Sequence, residues 1–415
     1  MDVCIKSAEL SGTVKAVASK SDAHRALICA ALGSKPCQIE ISSTSVDIEA
    51  TATLLAELGA GISKNGTVYT VVPLDKNAVK GKTCTLNCHE SGSTLRFMLP
   101  VAAALGANAT FVGEGRLPQR PMHDMVQQLC ANGCNVQAKD GGFLPISVSG
   151  GLKNGSFVLP GNVSSQYITG LLFALPLLPD GGKIELTTNL ESASYVDLTL
   201  QVLAQFGVSC KKAPDYRSFV YDSFVPYVSP DTYTVEGDWS QAAFWLSAGF
   251  LGADVTVTGL KDESSQGDKA VKQILAQFAG TENVEVDARN IPDLIPVLAI
   301  AACGRNARTT FANCGRLRLK ESDRIESTCK MIESLGGKTA STQDTLTVFG
   351  SGKLCGGTVD GMNDHRIVMA SAVASVLCTQ NVTILGAQAI NKSYPAFFTD
   401  FAALKGDFDV IDIRE

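Results

Sequence analysis

Two carboxylates stand among cations in this chain, Asp293 in "NIPDLIP" and Glu321 in "LRLKESDR". A carboxylate beside several cations has its ionised form favoured, and one desolvated by a bound molecule becomes a proton donor near neutrality. Both are therefore acid–base candidates. Each also has a plainer reading. An Asp at a helix start caps backbone N–H groups, and Glu321 would pair with Lys320 or Arg324, which are four apart and so share a helix face.

The cations around them are Lys20, Arg116, Arg120, Lys320, Arg324 and Lys392, all in turns or beside expected helix starts. Arg suits bidentate binding of phosphate or carboxylate, whereas Lys supplies a point charge and can move protons. A lone surface Lys or Arg is usually just solvated. These recur at the same point of a repeat, which favours a shared site. A similar excess opens "GMNDHRIVMASAVASVL": Asn363 or Asp364 can cap the helix, but capping leaves His365 and Arg366 unexplained.

The repeat is the element that must position these groups. A polar start, an apolar helix and a short β-branched run occur six times, beginning at Ser21, Ser91, Ser164, Asp238, Ile291 and Asn363. Most intervals are roughly 70 residues, a regularity that marks an internal repeat. The first helix of each unit is apolar nearly all round and should be buried. A second, amphipathic helix often follows, as in "IESTCKMIESL", with Ile325, Cys329, Ile332 and Leu335 on one stripe and Glu326, Lys330 and Glu333 facing away.

A helix N-terminus carries unpaired N–H groups and about half a positive charge, so it attracts anions. Here the first turns hold Ser21 with Arg25, Ser91 with Arg96, Ser164 with Ser165 and Gln166, then Asp238, Asp293, and Asp364 with Arg366. Repeats stacked in one orientation put these ends on one side of each lobe. Two lobes of three units facing each other would gather them around one cleft for small anions.

Bulk properties agree. A chain of 415 residues exceeds one ordinary core and suggests two lobes. With 45% hydrophobic residues, 38 Gly and 7% aromatics, it suits an aliphatic-cored α/β protein. No apolar run reaches the ~18 residues of a membrane helix, and the first residues lack a signal pattern, so a cytoplasmic location is expected. A net charge of −6 argues against nucleic acid as partner. The 13 Cys read as reduced thiols used as small apolar fillers, and their spacings fit no usual zinc pattern, so no metal is expected.

Taken in order, "ASKSDAHRAL", "SGSTLR", "QRPM", "VSSQYITGLL", "IPDLIP", "LRLKESDRI", "NDHRIVMA" and "KSYPAFF" resemble the motif series of the EPSP synthase (3-phosphoshikimate 1-carboxyvinyltransferase) family across nearly the whole chain. The resemblance implies an α/β, two-lobed enolpyruvyl transferase fold of six βαβαββ units, three per lobe, with helix N-termini facing an interdomain cleft. The implied lobes are 17–236, and a discontinuous lobe of 1–16 with 237–415. The implied reaction moves the carboxyvinyl group of phosphoenolpyruvate to the 5-hydroxyl of shikimate 3-phosphate through a tetrahedral intermediate, a step of the shikimate pathway toward chorismate and the aromatic amino acids. It implies no cofactor, and a monomer acting on small molecules without nucleic acid or membrane.

By the same resemblance, Lys20, Ser21, Arg25, Ser164, Ser165, Gln166, Ser192, Tyr195, Asp293 and Lys320 would hold shikimate 3-phosphate. Phosphoenolpyruvate would meet Lys20, Gly92, Arg96, Arg120, Gln166, Arg324, Arg366 and Lys392. Asp293 would take the hydroxyl proton, Glu321 and Lys20 would serve the methylene carbon, and His365 would assist. The chain departs from the pattern at Ser93 and Phe97, where members often carry Thr and Pro.

Two rivals differ in observable ways. The sister transferase that uses UDP-N-acetylglucosamine has Lys-Asn in its first motif and usually a Cys before the second Arg motif, whereas this chain has Lys20-Ser21 and "GEGRLPQRP". A non-catalytic anion-binding module would have no use for Asp293, Glu321 and Lys20 together.

Overall fold

A computed structural model describes residues 1–6, 9–139 and 142–411. The chain divides into two compact units, Ala18–Val235, and Met1–Val17 with Glu236–Glu415.

One sheet plan recurs three times in the unit Ala18–Val235. Each sheet has a parallel pair followed by two antiparallel strands: Thr83–Asn87, Asn108–Val112, Phe143–Ser149 and Asn135–Lys139; then Ser156–Leu159, Gly182–Leu186, Ser218–Tyr221 and Lys211–Lys212. A parallel pair needs a crossover, and a helix supplies it. Gly92–Ala104 links the first such pair, and Ser165–Ala174 the second. The remaining sheet takes Cys37–Glu40, Val68–Val72 and Gly61–Asn65 from the start of the unit and pairs Thr232–Thr234 from its end, with Tyr233 opposite Ile39. The unit thereby closes on itself.

The three apolar helices, Lys20–Ala31, Gly92–Ala104 and Ser165–Ala174, are almost wholly buried, as their all-round hydrophobicity requires. They start at the side-chain caps Ser19, Ser91 and Ser164. Ser19 rather than Ser21 caps the first, so Lys20 and Ser21 lie inside its first turn. Gly170 lets two of these helices touch, because a Cβ there would strike the Arg96 carbonyl and the Pro100 ring.

The other unit repeats the plan. Val284–Asp287, Arg308–Ala312, Leu346–Phe349 and Lys338–Ser341 form one sheet. Another comprises Gly357–Asp360, Val382–Leu385, Asp2–Ile5 and Phe408–Ile411, so the first and last strands of the chain complete it. Ser11–Lys15 pairs in parallel with Asp254–Thr258. Buried helices Trp239–Phe250, Ile295–Cys303 and His365–Ala374 fill the core, and Arg324–Ser334 lies outside them. In that outer helix Ile325, Cys329 and Ile332 are buried, with Leu335 at its C-cap, and Glu326, Lys330 and Glu333 are exposed, as the pattern predicts.

Two local expectations change. Lys320 and Arg324 do not share a helix: Gly315–Leu319 is a short 3-10 turn, and a new helix begins at Arg324 with Asp323 as its cap. The Asp323 carboxylate accepts the Glu326 N–H, which restarts the helix there. Asp293 does not cap either, because the helix begins at Ile295 after Leu294 and no side chain caps it. The carboxylate is turned to other partners.

All thirteen cysteines are free thiols. Burial pushes Cys134, Cys303, Cys314 and Cys378 up to about 12, which keeps them neutral. No helix among the described residues is long and apolar enough to cross a membrane.

Candidate active site

Each unit gathers polar groups where its buried helices begin. In the unit with both chain termini the centre is Arg324, buried to 1% exposure of its side chain. Its Nε donates to Asp364 Oδ2 at 2.8 Å, one terminal nitrogen to Asp293 Oδ1 at 2.6 Å, and the other to Glu321 Oε2 at 2.7 Å. Burial opposes charge on this guanidinium, but Asp364, Glu321 and Asp293 outweigh it and hold its pKa well above the usual value.

Asp293 carries more than one cation. Lys320 Nζ lies 3.4 Å from Oδ1, and the Arg366 guanidinium donates to Oδ2 at 3.3 Å. Burial brings the Lys320 pKa down to about 8, partly offset by Asp293. Asp364, read from sequence as a cap, does two jobs: Oδ1 accepts the Arg366 N–H at 2.9 Å while Oδ2 holds Arg324 and the Ser322 hydroxyl. Lys392 Nζ donates to the Asn363 carbonyl at 2.7 Å, beside the start of the His365 helix, and His365 itself is buried.

Asp268 was not foreseen. It is buried in the short 3-10 turn Gly267–Ala270, with its pKa pushed up to about 7 by burial and by the Asp293 charge, against Arg366 and the Ser240 hydroxyl. Nothing in its spacing sets it apart from a surface Asp. Only the fold brings it to Asp293.

In the unit Ala18–Val235 the groups surround Gly92. A Cβ there would lie 2.5 Å from an Arg96 terminal nitrogen and 2.7 Å from one of Arg120, so only Gly lets the two guanidinium groups converge on this helix start. Arg96 also donates to Gln166 Oε1 at 3.0 Å, and Gln166 Nε2 donates to Ser93 Oγ at 2.9 Å. Ser164 holds the start of the Gln166 helix by accepting the Gln166 N–H. Ser165, the first residue of that helix, is buried. Two guanidinium groups over helix N–H donors make an anion site.

Lys20 is 2.7 Å from Asp47 Oδ2, a partner that no spacing announced. Arg25 is buried, with its pKa brought down to about 10 by burial. Its donors reach Thr199 Oγ1, the Ser21 carbonyl and the Tyr195 carbonyl at 2.9, 2.6 and 2.9 Å. Three of its five N–H groups are thereby used in tying Lys20–Ala31 to the helix Ala193–Gln205. Ser192 precedes that helix in a left-handed conformation, with φ of 57°.

Residues 5–401 match the profile of the EPSP synthase (3-phosphoshikimate 1-carboxyvinyltransferase) family. The 3-phosphoshikimate 1-carboxyvinyltransferase of Clostridium kluyveri is 40% identical over 98% of both chains, and that of Clostridium acetobutylicum 39% identical over 96% of both. Among solved structures, EPSP synthase from Acinetobacter baumannii superposes with a TM-score of 0.81 over 99% of this chain and 100% of that one at 23% identity. The enolpyruvyl transferase NikO from Streptomyces tendae gives 0.76 over 98% of each at 16% identity. The last two show the α/β fold, whereas the profile and the Clostridium relatives show more: the chain belongs to the EPSP synthase (3-phosphoshikimate 1-carboxyvinyltransferase) family of enzymes.

Proposed function

We propose that this enzyme transfers the carboxyvinyl group of phosphoenolpyruvate to the 5-hydroxyl of shikimate 3-phosphate and releases phosphate. The observation that carries the reading is Asp293, a carboxylate held by Lys320, Arg324 and Arg366. Three cations keep it ionised, so it is a base that can accept a hydroxyl proton while they hold the neighbouring anions.

The reaction balances in two steps. The 5-hydroxyl oxygen bonds to the central carbon of the enol phosphate, its proton passes to Asp293, and Glu321 or Lys20 delivers a proton to the methylene carbon. The C–O bond to phosphate then breaks, the departing phosphate takes up the proton held by Asp293 directly or through solvent, a methyl proton returns to the same acid–base group, and the double bond re-forms. Arg96 and Arg120 at Gly92 would hold the phosphoryl group and stabilise its charge as it leaves. Arg324, Arg366, Gln166 and Lys392 complete the proposed phosphoenolpyruvate contacts, with His365 assisting. Lys20, Ser21, Arg25, Ser164, Ser165, Gln166, Ser192, Tyr195, Asp293 and Lys320 make those to shikimate 3-phosphate. In this reading the enzyme works as a cytoplasmic monomer.

The test is phosphate release from phosphoenolpyruvate with either shikimate 3-phosphate or UDP-N-acetylglucosamine as acceptor. Release with the first alone is the expected result. Release with the second alone would reverse the assignment.

A further inference from the structure

Three cations keep Asp293 ionised, and by the same physics they weaken its hold on a proton. A general base works best when that hold is matched to neutral pH. One buried group near Asp293 acts in the other direction, and the proposed reaction leaves it unused: Asp268.

The turn that carries Asp268 is fastened to the start of the helix Trp239–Phe250. Gln266 Nε2 donates to Glu236 Oε1 and to the Gly237 carbonyl, both at 2.8 Å, and Gln266 Oε1 accepts the Trp239 N–H at 3.0 Å. Ser264 Oγ donates to the same Glu236 oxygen at 2.7 Å. Ser264, Gln266 and Asp268 are all buried. These bonds hold Asp268, two residues beyond Gln266, against the first turn of that helix and beside the Ser240 hydroxyl.

Ser240 meets Arg366 as well. Its carbonyl accepts from one terminal nitrogen of Arg366 at 3.5 Å, while the other terminal nitrogen donates to Asp293 Oδ2 at 3.3 Å. Both contacts are long for N–H···O bonds, so Asp293 does not hold Arg366 tightly. The charges that face Asp268 are Asp293 and Asp238, which oppose its ionisation, and Arg366, which favours it. Those that face Asp293 include Lys320, Arg324 and Arg366. Lys269 and Lys272, next along the chain, turn instead to the carbonyl and the carboxylate of Asp262.

We propose that Asp268 is a positioning residue for the reaction: when ionised, this second buried carboxylate draws on the Arg366 charge and strengthens Asp293 as a proton acceptor. The inference rests on the proposed function for the role of Asp293. Two interacting carboxylates take up their first proton as a pair, and the pair accepts the substrate hydroxyl proton more readily than Asp293 would among three cations alone. Asp268 acts through charge and touches no substrate.

Asp268 ionises at about 7, so its effect is a step in rate near neutrality. The experiment follows kcat for phosphate release from phosphoenolpyruvate across pH, with saturating shikimate 3-phosphate and the full chain. Wild-type kcat should rise roughly 3-fold between about pH 6 and about pH 8, the Brønsted yield of a base about one pH unit stronger. Asp268→Asn should keep the low-pH rate and lose the rise, with KM for both substrates within about twofold of wild type. Ser240→Ala keeps the carboxylate but removes the hydroxyl that favours its charge, so the rise should move to higher pH. A loosened fold would lower the rate alike at every pH and move no step.

Carboxyl carbon chemical shifts of the free protein give a second readout that needs no turnover. The Asp293 signal should move as Asp268 ionises in the wild type and not in Asp268→Asn; Lys320, which titrates at about 8, is present in both, so the difference isolates Asp268. Superimposable pH profiles for wild type and Asp268→Asn, or an equal loss at every pH, overturn the inference. If the wild-type chain released no phosphate with shikimate 3-phosphate, the proposed function would fall, and the carboxyl titration would decide the coupling of Asp268 to Asp293 by itself.

Discussion

The Arg324 guanidinium and the Asp364 carboxylate form an ion pair inside the unit that holds both chain termini, with Nε 2.8 Å from Oδ2 and both side chains at 1% exposure or less. The pair joins the first turns of two helices, since Arg324 begins one and Asp364 caps another. Breaking such a pair leaves a buried charge without compensation. Arg324→Met should therefore cost about 3–5 kcal/mol in urea unfolding. Arg324→Lys should recover only part of it, because a single ammonium does not reproduce the forked contacts to Asp364, Asp293 and Glu321.

Asp293→Asn removes the proposed base while keeping its size. Steady-state assays of phosphate release should show kcat lower by roughly 10²–10⁴-fold, the usual contribution of a positioned general base. A fall of less than threefold would move the base role elsewhere. Glu321→Gln should lower kcat by a similar order if it serves the methylene carbon.

Lys320, brought down to about 8 by burial, supplies a pH test. It is charged below that value and neutral above it. If its charge holds shikimate 3-phosphate, affinity should weaken as pH rises from 7 through about 8, and Lys320→Arg should remove that limb of the profile. Asp293 raises the Lys320 pKa, so Asp293→Asn should shift the limb to lower pH.

Asp268 gives a stability test. Its folded pKa of about 7 is above the ordinary 3.8, so between these values the unfolded chain releases a proton that the folded chain retains. Stability should fall as pH rises through this window, with the full cost present above about 7. Asp268→Asn should flatten the dependence, stabilising the protein at pH 8 and changing it little at about pH 4, as read by urea midpoints.

The sequence by itself determined the repeated plan and the cast of charged residues. All-round apolar helices can only be buried, and Ser or Asp before such a helix is a cap; the periodicity shows both without any distant contact. Ser91, Ser164, Asp238 and Asp364 all take that place. Gly92, Arg96 and Arg120 stood together in the sequence only through the motif resemblance, and their convergence on one helix start appears in the structure.

The tertiary structure decided which charges meet. Local spacing suggested a shared helix face for Lys320 and Arg324, yet Asp323 restarts the helix between them and both side chains turn to Asp293. The partnership of Lys20 with Asp47 and the arrival of Asp268 near Asp293 both join different helices or turns. Periodicity records which face of an element is buried. Ion pairs and hydrogen-bond direction depend on the few ångströms between elements once they are packed, and those distances are set by the whole unit.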